Sequence, residues 1–348
     1  MRVLVLGGTG LIGTPLVDAL CRAGHDVVLF NRGQTTVRHG QEVEVVHGDR
    51  NDFENFEIAA KEIAPEVVVD FLTFDSHTAE NAAKVFSEIG VKQYLFCSAT
   101  ALYGRLLSIP ADESTAHAAT GQYGKGKSEA EGVFMAALEK DGFPVTILRP
   151  AHVYGPGQAL PSVWGYDACL VSRIRTDKPI IVPGDGFSGF DLIYADDIAQ
   201  AFADAIGITE CVGQVYNVGP EDHIDWRVYL ETIGACVNKE VNLVPMPSNL
   251  IVAGSPPDTS ILLEEIYQYS MVFDSGLFRK HVPAWTPKTS LHDGILKTIE
   301  WMNATNAHML PEEQAWVDGL IDKVLDFEKD LALSDFAFDE KLLSNDQV

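Results

Sequence analysis

The sequence predicts an α/β fold, a doubly wound parallel sheet with helices on both faces and a smaller C-terminal substrate lobe. Two observations predict this fold. Over residues 1–150, short and almost continuous apolar runs alternate with helical stretches, as in parallel sheets that helices cover on both faces. The first apolar run also leads directly into a glycine-rich turn and then a helical pattern. We expect residues 1–155 to form the sheet domain and segments near 191–219 to rejoin it.

Length and composition are those of a globular protein. The 348 residues are 46% hydrophobic and 22% charged, which is enough for a large domain with a smaller partner. The net charge of −25 argues against nucleic acid or an anionic membrane as a partner. No apolar run approaches the about 18 residues of a membrane helix, and no cleavable leader precedes the first strand, so we expect a cytoplasmic protein. The five cysteines never form a Cys-x-x-Cys pair, which argues against a disulfide framework or a bound metal.

The elements of the sheet domain follow one another as strand and helix. A strand precedes Gly7, and the helix after the turn carries apolar residues at helical spacing, from Leu11 to Leu20. Pro65 closes a later helix. The remaining pattern predicts strands over residues 26–30, 42–47, 66–70, 93–97 and 144–148, and helices over 55–63, 77–89 and about 123–140.

Beyond Pro150 the pattern becomes less regular, and we expect residues 156–310 to form the discontinuous substrate lobe. Residues 191–206 read as a strand and a helix, and 213–218 as a strand that rejoins the sheet. The tail, 311–348, is predicted to be helical because its apolar residues fall in two stripes at helical spacing. These stripes pack either on the chain itself or on a second subunit. They contain Trp316, Leu320 and Val324, and Val317, Ile321 and Leu325.

The glycine-rich turn predicts a dinucleotide site of the Rossmann type. Glycine lacks the Cβ that would keep the backbone from a pyrophosphate, and the N–H groups at the start of the next helix bind the anion. The glycines stand at positions 7, 8, 10 and 13, between a strand and a helix, which is the required context. We therefore expect the cofactor to contact Gly7, Thr9, Gly10, Leu11 and Ile12.

The end of the second strand favours NADP over NAD. An acidic residue there would bind the adenosine ribose hydroxyls and repel a 2′-phosphate, but the sequence has Asn31 and Arg32. The Arg32 guanidinium suits a phosphate, unless it stacks on the adenine or points to solvent. Asp49, after the third strand, is placed to receive the adenine amino group, unless it only caps a turn.

Tyr123 and Lys127 are expected to form an acid–base pair. They stand four residues apart at the start of a predicted helix and so lie on one face of it. At about 5 Å and an effective dielectric near 20, the lysine charge stabilises the phenolate by about 3 kcal/mol, which lowers the phenol's pKa toward neutrality. The spacing alone is also that of an ordinary surface pair, but the upstream glycine turn favours the catalytic interpretation.

With these motifs the chain resembles the extended branch of the short-chain dehydrogenase/reductase superfamily, which includes UDP-galactose epimerases and sugar-nucleotide dehydratases. The resemblance runs from Met1 to about Trp301. It implies that Tyr123 is the general acid/base, that Lys127 holds the nicotinamide ribose, that a hydroxyl lies near the end of the fifth strand, and that two helices of each subunit form a homodimer. The supporting motifs are Gly7-Gly-Thr-Gly-Leu-Ile-Gly13, Gly48-Asp49, Cys97-Ser98, Tyr103-Gly104, Tyr123/Lys127, Arg149-Pro150, Tyr154-Gly-Pro156, Asp196-Asp-Ile198 and Asn217-Val-Gly219.

The resemblance also extends the expected cofactor site beyond the glycine turn. The further residues assigned to it are Arg50, Phe71, Leu72, Ser98, Tyr123, Lys127, Pro150, His152 and Val153. The substrate pocket is expected to draw on residues 71–74, 102–103 and 152–154 and on the loop near Trp164.

Three positions depart from the family pattern. The usual catalytic Ser or Thr is Ala99 here, so Ser98 or Thr100 is expected to provide the hydroxyl. The acidic residues that dehydratases use next are absent, since Thr100 and Ala101 stand there, which disfavours dehydration. Phe190 replaces an arginine that grips a sugar-nucleotide diphosphate, which argues against a nucleotide-sugar substrate.

The resulting expectation is an NADP-dependent oxidoreductase that transfers hydride to or from a small polar, sugar-like molecule. Tyr123 would act as its general acid/base while a carbonyl is reduced or a secondary alcohol oxidised. An epimerase, which usually goes with tightly held NAD, is the first alternative. The second is a nucleotide-bound binding or sensor protein without turnover, because the same segments resemble plastid stem-loop RNA-binding relatives. The Tyr123/Lys127 pair argues against the sensor, and the net charge of −25 argues against RNA.

Overall fold

The computed structural model describes residues 1–35 and 38–333, and for residues 331–333 it describes the backbone only. The strands in chain order are β1 Arg2–Leu6, β2 Asp26–Asn31, β3 Glu44–His47, β4 Val67–Asp70, β5 Gln93–Cys97, β6 Val145–Pro150, β7 His152–Tyr154, β8 Pro161–Ser162, β9 Gly165–Tyr166, β10 Ile180–Pro183, β11 Leu192–Tyr194, β12 Val215–Val218 and β13 Leu243–Met246.

The helices are α1 Gly13–Arg22, α2 Phe53–Ile63, α3 Ser76–Ile89, α4 Gln122–Asp141, α5 Leu170–Arg175, α6 Ala195–Ala205, α7 Trp226–Cys236, α8 Ser248–Gly254, α9 Gly276–His281, α10 Leu291–Thr305 and α11 Ala315–Leu333. A π-helical turn spans Leu263–Tyr267. Within the described part of the chain, no helix is both long and apolar enough to cross a membrane.

Seven strands form one parallel sheet in the order β12-β6-β5-β4-β1-β2-β3. β1 pairs with β2 on one side and with β4 on the other, so that Leu4 lies between Val28 and Val68. The strand order reverses at this point, and the crevice for a ligand opens at the carboxyl ends of the two strands. The predicted doubly wound parallel sheet is confirmed.

Helices cover both faces of this sheet and bury two apolar cores. On one face α1 and α6 pack through residues such as Leu16 and Phe202. On the other, α2, α3 and α4 contribute residues such as Phe86 and Phe134. Helix α3 begins where the Asp75 side chain accepts a hydrogen bond from Thr78 N (2.8 Å), the usual N-cap arrangement.

A third core lies in the lobe that follows the sheet and includes α5, α7, α10 and α11. The 191–219 segment divides between two sheets. β11 pairs with β7 in a separate two-stranded parallel sheet, whereas β12 joins the main sheet beside β6. Ala151 separates β6 from β7, so consecutive strands of the chain belong to different sheets.

Helix α11 packs on the lobe of its own chain. Val317 and Ile321 are buried in the lobe core, and the Trp316 ring meets the Trp164 ring edge-on at 5.0 Å. Asp318 accepts hydrogen bonds from Arg173 Nη2 and Lys178 Nζ, each at 2.7 Å. The remainder of the predicted helical tail, 334–348, lies outside the described residues.

Candidate active site

Two adjoining cavities open at the carboxyl ends of the sheet strands and share the glycine turn. The turn requires glycine: Gly7 has a φ of +92°, and a Cβ on Gly13 would lie 2.4 Å from the Gly7 carbonyl oxygen. Helix α1 can therefore approach the turn only because position 13 lacks a side chain. This arrangement suits the pyrophosphate of a dinucleotide at the start of α1.

The first cavity, here called the Arg32 cavity, has a volume of about 450 Å³. The Asn31 side-chain oxygen accepts a hydrogen bond from Gly33 N (2.8 Å), so the end of β2 presents an amide and no carboxylate. Arg32 is exposed beside it. The predicted cofactor residues that line this cavity are Gly7, Thr9, Gly10, Asn31, Arg32, Asp49, Arg50 and Leu72.

Asp49 and Arg50 are both engaged by the protein. The Asp49 carboxylate accepts a hydrogen bond from Asn51 N (2.9 Å), which is the turn cap considered as the alternative. Arg50 is buried: its guanidinium lies 4.0 Å from the centre of the Phe56 ring and donates to Thr78 O at 2.9 Å. Arg32 is thus the more available cation of this cavity. The contacts of Asp49 and Arg50 with a cofactor remain predictions.

The second cavity, here called the Tyr123 cavity, has a volume of about 470 Å³. It brings together residues that are far apart in the sequence, from the glycine turn, β4, β5, α4 and β7. The predicted site residues that line it are Gly7, Gly10, Leu11, Ile12, Phe71, Ser98, Thr100, Tyr123, Lys127, Pro150, His152 and Val153. Ala99 lines it as well.

Lys127 is buried, and its Nζ donates to the carbonyl oxygens of Thr73 (2.8 Å) and Cys97 (2.7 Å). Burial lowers the pKa of Lys127. The Nζ lies 5.9 Å from the centre of the Tyr123 ring. The lysine is thus anchored between the loop after β4 and the end of β5, and it lines the cavity.

The expectation that Lys127 lowers the pKa of Tyr123 is wrong for this structure. The cavity walls desolvate the phenol and raise its pKa above the ordinary value, although 47% of the side chain is exposed. Two backbone carbonyls accept hydrogen bonds from Lys127, and its ammonium contacts the Phe74 ring at 4.3 Å. The phenol of the cofactor-free protein therefore retains its proton at neutral pH.

The structure distinguishes the two hydroxyls that flank Ala99. Thr100 Oγ1 donates to the carbonyl oxygen of Pro150 at 3.0 Å. Ser98 is buried and lines the cavity, and its Oγ has no hydrogen-bond partner among the described residues. A buried hydroxyl without a partner is costly, so a ligand that bonds to Ser98 gains an interaction that the protein alone does not provide.

The substrate side of the Tyr123 cavity comes from the lobe, and the sequence indicated Tyr166 through the loop near Trp164 but none of the residues beyond position 260. Tyr166, Leu262, Ile266, Tyr267 and Met271 line this side. They come from short strands and turns more than 40 residues from Tyr123 along the chain, and no local pattern marks those beyond position 260.

Of the expected substrate-pocket segments, residues 102–103 do not line the cavity, and the loop near Trp164 lines it through Tyr166 and not through Trp164 itself. Leu102 and Tyr103 lie in the core beneath the cavity, where the Tyr103 hydroxyl donates to Asn217 Oδ1 (2.7 Å). Trp164 packs on Trp316 and donates to Ser255 Oγ (2.9 Å). In the described part of the chain no group of three or more His, Cys, Asp or Glu residues is arranged to hold a metal ion.

The sequence model of the family described as "NAD dependent epimerase/dehydratase family" matches residues 3–219. A 2′-dehydrokanamycin reductase of Streptomyces kanamyceticus is 25% identical over 285 residues, which cover 82% of this chain and 80% of that protein. The chloroplast stem-loop binding protein of 41 kDa b of Arabidopsis thaliana is 25% identical over 84% of this chain and 77% of its own length. The crystal structure of dTDP-glucose 4,6-dehydratase of Bacillus anthracis in complex with NAD has a TM-score of 0.70 and 19% identity, and the match covers 88% of this chain and 97% of that one.

Proposed function

Because this chain belongs to the NAD dependent epimerase/dehydratase family, we propose that it is an NADP-dependent oxidoreductase of the extended short-chain dehydrogenase/reductase type. It reduces a carbonyl or oxidises a secondary alcohol on a small polar, sugar-like substrate. The observation that carries the proposal is the convergence of Ser98, Tyr123 and Lys127 on one cavity next to the glycine turn. The similarity to a 2′-dehydrokanamycin reductase supports the reductase direction.

The residues of this chain supply binding and proton transfer, and a bound nicotinamide supplies the hydride. Tyr123 donates the proton of its hydroxyl to the substrate carbonyl oxygen as that oxygen gains charge. Burial raises its pKa in the cofactor-free protein, so the proton is in place at neutral pH, and catalysis requires that the bound cofactor and substrate lower this pKa toward neutrality. Ser98 Oγ donates a hydrogen bond to the same oxygen and orients it. Lys127, held by two carbonyl oxygens, has a third N–H group for the nicotinamide ribose.

Preference for NADP rests on the Arg32 cavity. Asn31 ends β2 without a negative charge, and Arg32 is exposed beside it. A guanidinium can donate two parallel hydrogen bonds to the 2′-phosphate of NADP, and NAD has no group there to receive them. Dehydration is disfavoured because neither Thr100 nor Ala101 can act as its acid or base at neutral pH.

A sugar epimerase is the second candidate. The solved dTDP-glucose 4,6-dehydratase of Bacillus anthracis is in complex with NAD, the cofactor that usually goes with an epimerase. An epimerase oxidises and then reduces its substrate, so it returns its nicotinamide to the starting state. The third candidate is a nucleotide-bound protein without turnover, and the similarity to the stem-loop binding protein supports it.

Mass spectrometry of the cofactor released from the purified protein, followed by assay of NADPH oxidation with a panel of aldehydes and ketones, tests the proposal. We expect NADP(H), exchangeable by dialysis, and net oxidation of NADPH by at least one carbonyl compound. Tightly held NAD and no net change in its redox state would support the epimerase. Bound nucleotide without conversion of any substrate would support the binding protein.

A further inference from the structure

We propose that the substrate in the Tyr123 cavity is a phosphate-free molecule of sugar size, neutral or amine-bearing, and not a nucleoside diphosphate sugar. This proposal rests on the proposed function, because the substrate must meet the nicotinamide in this cavity. Three observations on the lining of the cavity support it, namely its charges, its aromatic wall and its volume.

The cavity lacks the cations that a diphosphate needs. Lys127 is the one cationic side chain among the described residues that line it, and two carbonyl oxygens already accept hydrogen bonds from its Nζ. His152 is neutral at pH 7, since burial lowers its pKa to about 4. A diphosphate taken out of water requires several charge-assisted hydrogen bonds, which this lining does not provide.

The acidic group of the lining would oppose a phosphate. Asp191 is fully buried, and its carboxyl group accepts hydrogen bonds from Phe273 N (2.9 Å) and from the ring of His223 (2.9 Å). Both hydrogen bonds come from the protein. Ionised, this group repels a phosphate, and protonated, it still offers no positive charge. A neutral or amine-bearing substrate meets no such repulsion.

An aromatic wall occupies the position where the family pattern leads one to expect an arginine. The Phe190 ring stacks on the Trp226 ring with centres 3.9 Å apart and planes 11° from parallel. It also meets the Tyr229 and Tyr267 rings edge-on, at 5.6 and 5.4 Å. Phe190 and Trp226 are each 1% exposed, so no cationic side chain can enter between them. This position therefore holds a buried aromatic cluster, which offers a phosphate no charge-assisted hydrogen bond.

The volume of the cavity leaves room for a small substrate only. The cavity volume of about 470 Å³ is in the lower part of the range for pockets that hold one drug-sized ligand. The nicotinamide and its ribose must share that space with the substrate. A nucleoside diphosphate sugar, which adds a base, a second ribose and two phosphates, needs a continuation of the cavity with positive charge.

The test is isothermal titration calorimetry, in which UDP-glucose or dTDP-glucose is titrated into the NADP⁺-saturated protein. Saturation with NADP⁺ blocks the cofactor site, where a nucleotide would otherwise bind. The variant Leu262→Glu places a carboxylate on the wall of the Tyr123 cavity, and Ile261→Glu places one on the neighbouring residue, which is 46% exposed and outside the cavity. If Leu262→Glu does not fold, Ile266→Glu on the same wall replaces it.

We expect no saturable binding of either nucleotide sugar up to about 5 mM. If a nucleotide sugar binds and Leu262→Glu weakens that binding no more than Ile261→Glu does, the binding lies outside the cavity, which agrees with the proposal. Binding that Leu262→Glu weakens more than Ile261→Glu overturns it. The outcome is separate from that of the proposed function, because a protein that oxidises NADPH and also binds UDP-glucose in the cavity contradicts only the substrate class.

Discussion

Ser98 and Thr100 show how single residues acquire their roles from their hydrogen bonds. Both side chains carry a hydroxyl, and both flank Ala99 at the end of β5. Thr100 Oγ1 bonds to the Pro150 carbonyl and so ties the end of β5 to β6. Ser98 Oγ has no hydrogen-bond partner among the described residues, and we propose that a bound ligand provides one. We therefore propose Ser98 as the catalytic hydroxyl, a choice that the sequence left open.

This assignment predicts opposite results for two substitutions. Ser98→Ala should lower kcat by about ten- to a hundredfold at unchanged Kd for NADP, because it removes a hydrogen bond to the reacting oxygen. Thr100→Val keeps the shape of the side chain but removes its hydrogen bond to Pro150. It should lower the melting temperature, and it should lower kcat less than Ser98→Ala does. The measurements are steady-state kinetics and thermal melting of both variants. A larger fall in kcat for Thr100→Val would reverse the assignment.

At Arg32 we predict a change in cofactor preference. Arg32→Ala should weaken NADP binding about ten- to a hundredfold and leave NAD binding nearly unchanged, since a charge-assisted bond to phosphate contributes about 1.5–3 kcal/mol. Fluorescence titration with both cofactors measures it. Arg22→Ala, at the exposed end of α1 and outside the Arg32 cavity, is the matched control. Equal losses for NADP and NAD would contradict the role of Arg32.

The residues of the glycine turn and the Tyr123/Lys127 pair could be placed from the sequence because their chemistry depends on local spacing. The electrostatics of that pair could not. The spacing shows that Lys127 is near Tyr123, but it does not show that the carbonyls of Thr73 and Cys97 take its hydrogen bonds. Nor does it show that burial raises the pKa of the phenol. These effects come from segments that only the fold brings together.

Among the elements, α11 has a helical pattern in the sequence and a packing partner that only the structure reveals. Ile321 is 2% exposed in the lobe core, whereas Phe327 on the same helix is 61% exposed. Ile321→Ala should lower the free energy of unfolding by about 2–5 kcal/mol, because it leaves a cavity in that core.

Phe327→Ala is the control and should change the free energy of unfolding by less than about 0.5 kcal/mol. Denaturant unfolding of both variants measures the difference. Deletion of residues 311–348 should likewise lower the melting temperature or promote aggregation. Equal stability of Ile321→Ala and the unchanged protein would mean that α11 does not pack on the lobe.

The central sheet strands were predictable because they are short apolar runs between helices, as burial on both faces requires. Of the short strands, β11 was predicted as the start of residues 191–206, whereas β7, β8 and β9 were not, because β8 and β9 have two residues each and β7 three. Runs of this length have no periodicity to detect. Tyr267 ends a π-helical turn and Leu262 directly precedes it, and the place of this turn against the cavity follows from tertiary packing alone.

For the whole molecule, the resemblance predicts a homodimer that pairs two helices of each subunit. We propose α3 and α4 for this contact, because they lie together on one face of the sheet. Gly132 is exposed on α4, and a Cβ there would meet nothing within 4 Å. Gly132→Arg should therefore fold and block the contact, so light scattering should give 38.0 kDa instead of twice that mass.

Gly319 on α11 is equally exposed and open, which makes Gly319→Arg the control. It should remain a dimer. If Gly319→Arg is monomeric and Gly132→Arg is still dimeric, the subunit contact involves α11 instead. A monomeric unchanged protein would exclude both contacts.

At the same scale, the central claim is that the sheet domain and the lobe enclose one catalytic cavity in which Tyr123 transfers a proton. Lys127→Ala should weaken both turnover and cofactor binding, because the ammonium is placed to contact the ribose in the resting complex as well. Tyr166→Phe is a control for Tyr123, since the Tyr166 hydroxyl lines the same cavity but donates to Val153 O at 2.9 Å.

The most direct measurement is the turnover of Tyr123→Phe together with its Kd for NADP. The phenol proton is needed only when the substrate oxygen gains or loses charge, so kcat should fall by about 10²–10⁴-fold while the Kd stays within about twofold. Tyr166→Phe should retain kcat within about tenfold. If Tyr123→Phe keeps the kcat of the unchanged protein on a substrate that the protein converts, proton transfer by Tyr123 is contradicted.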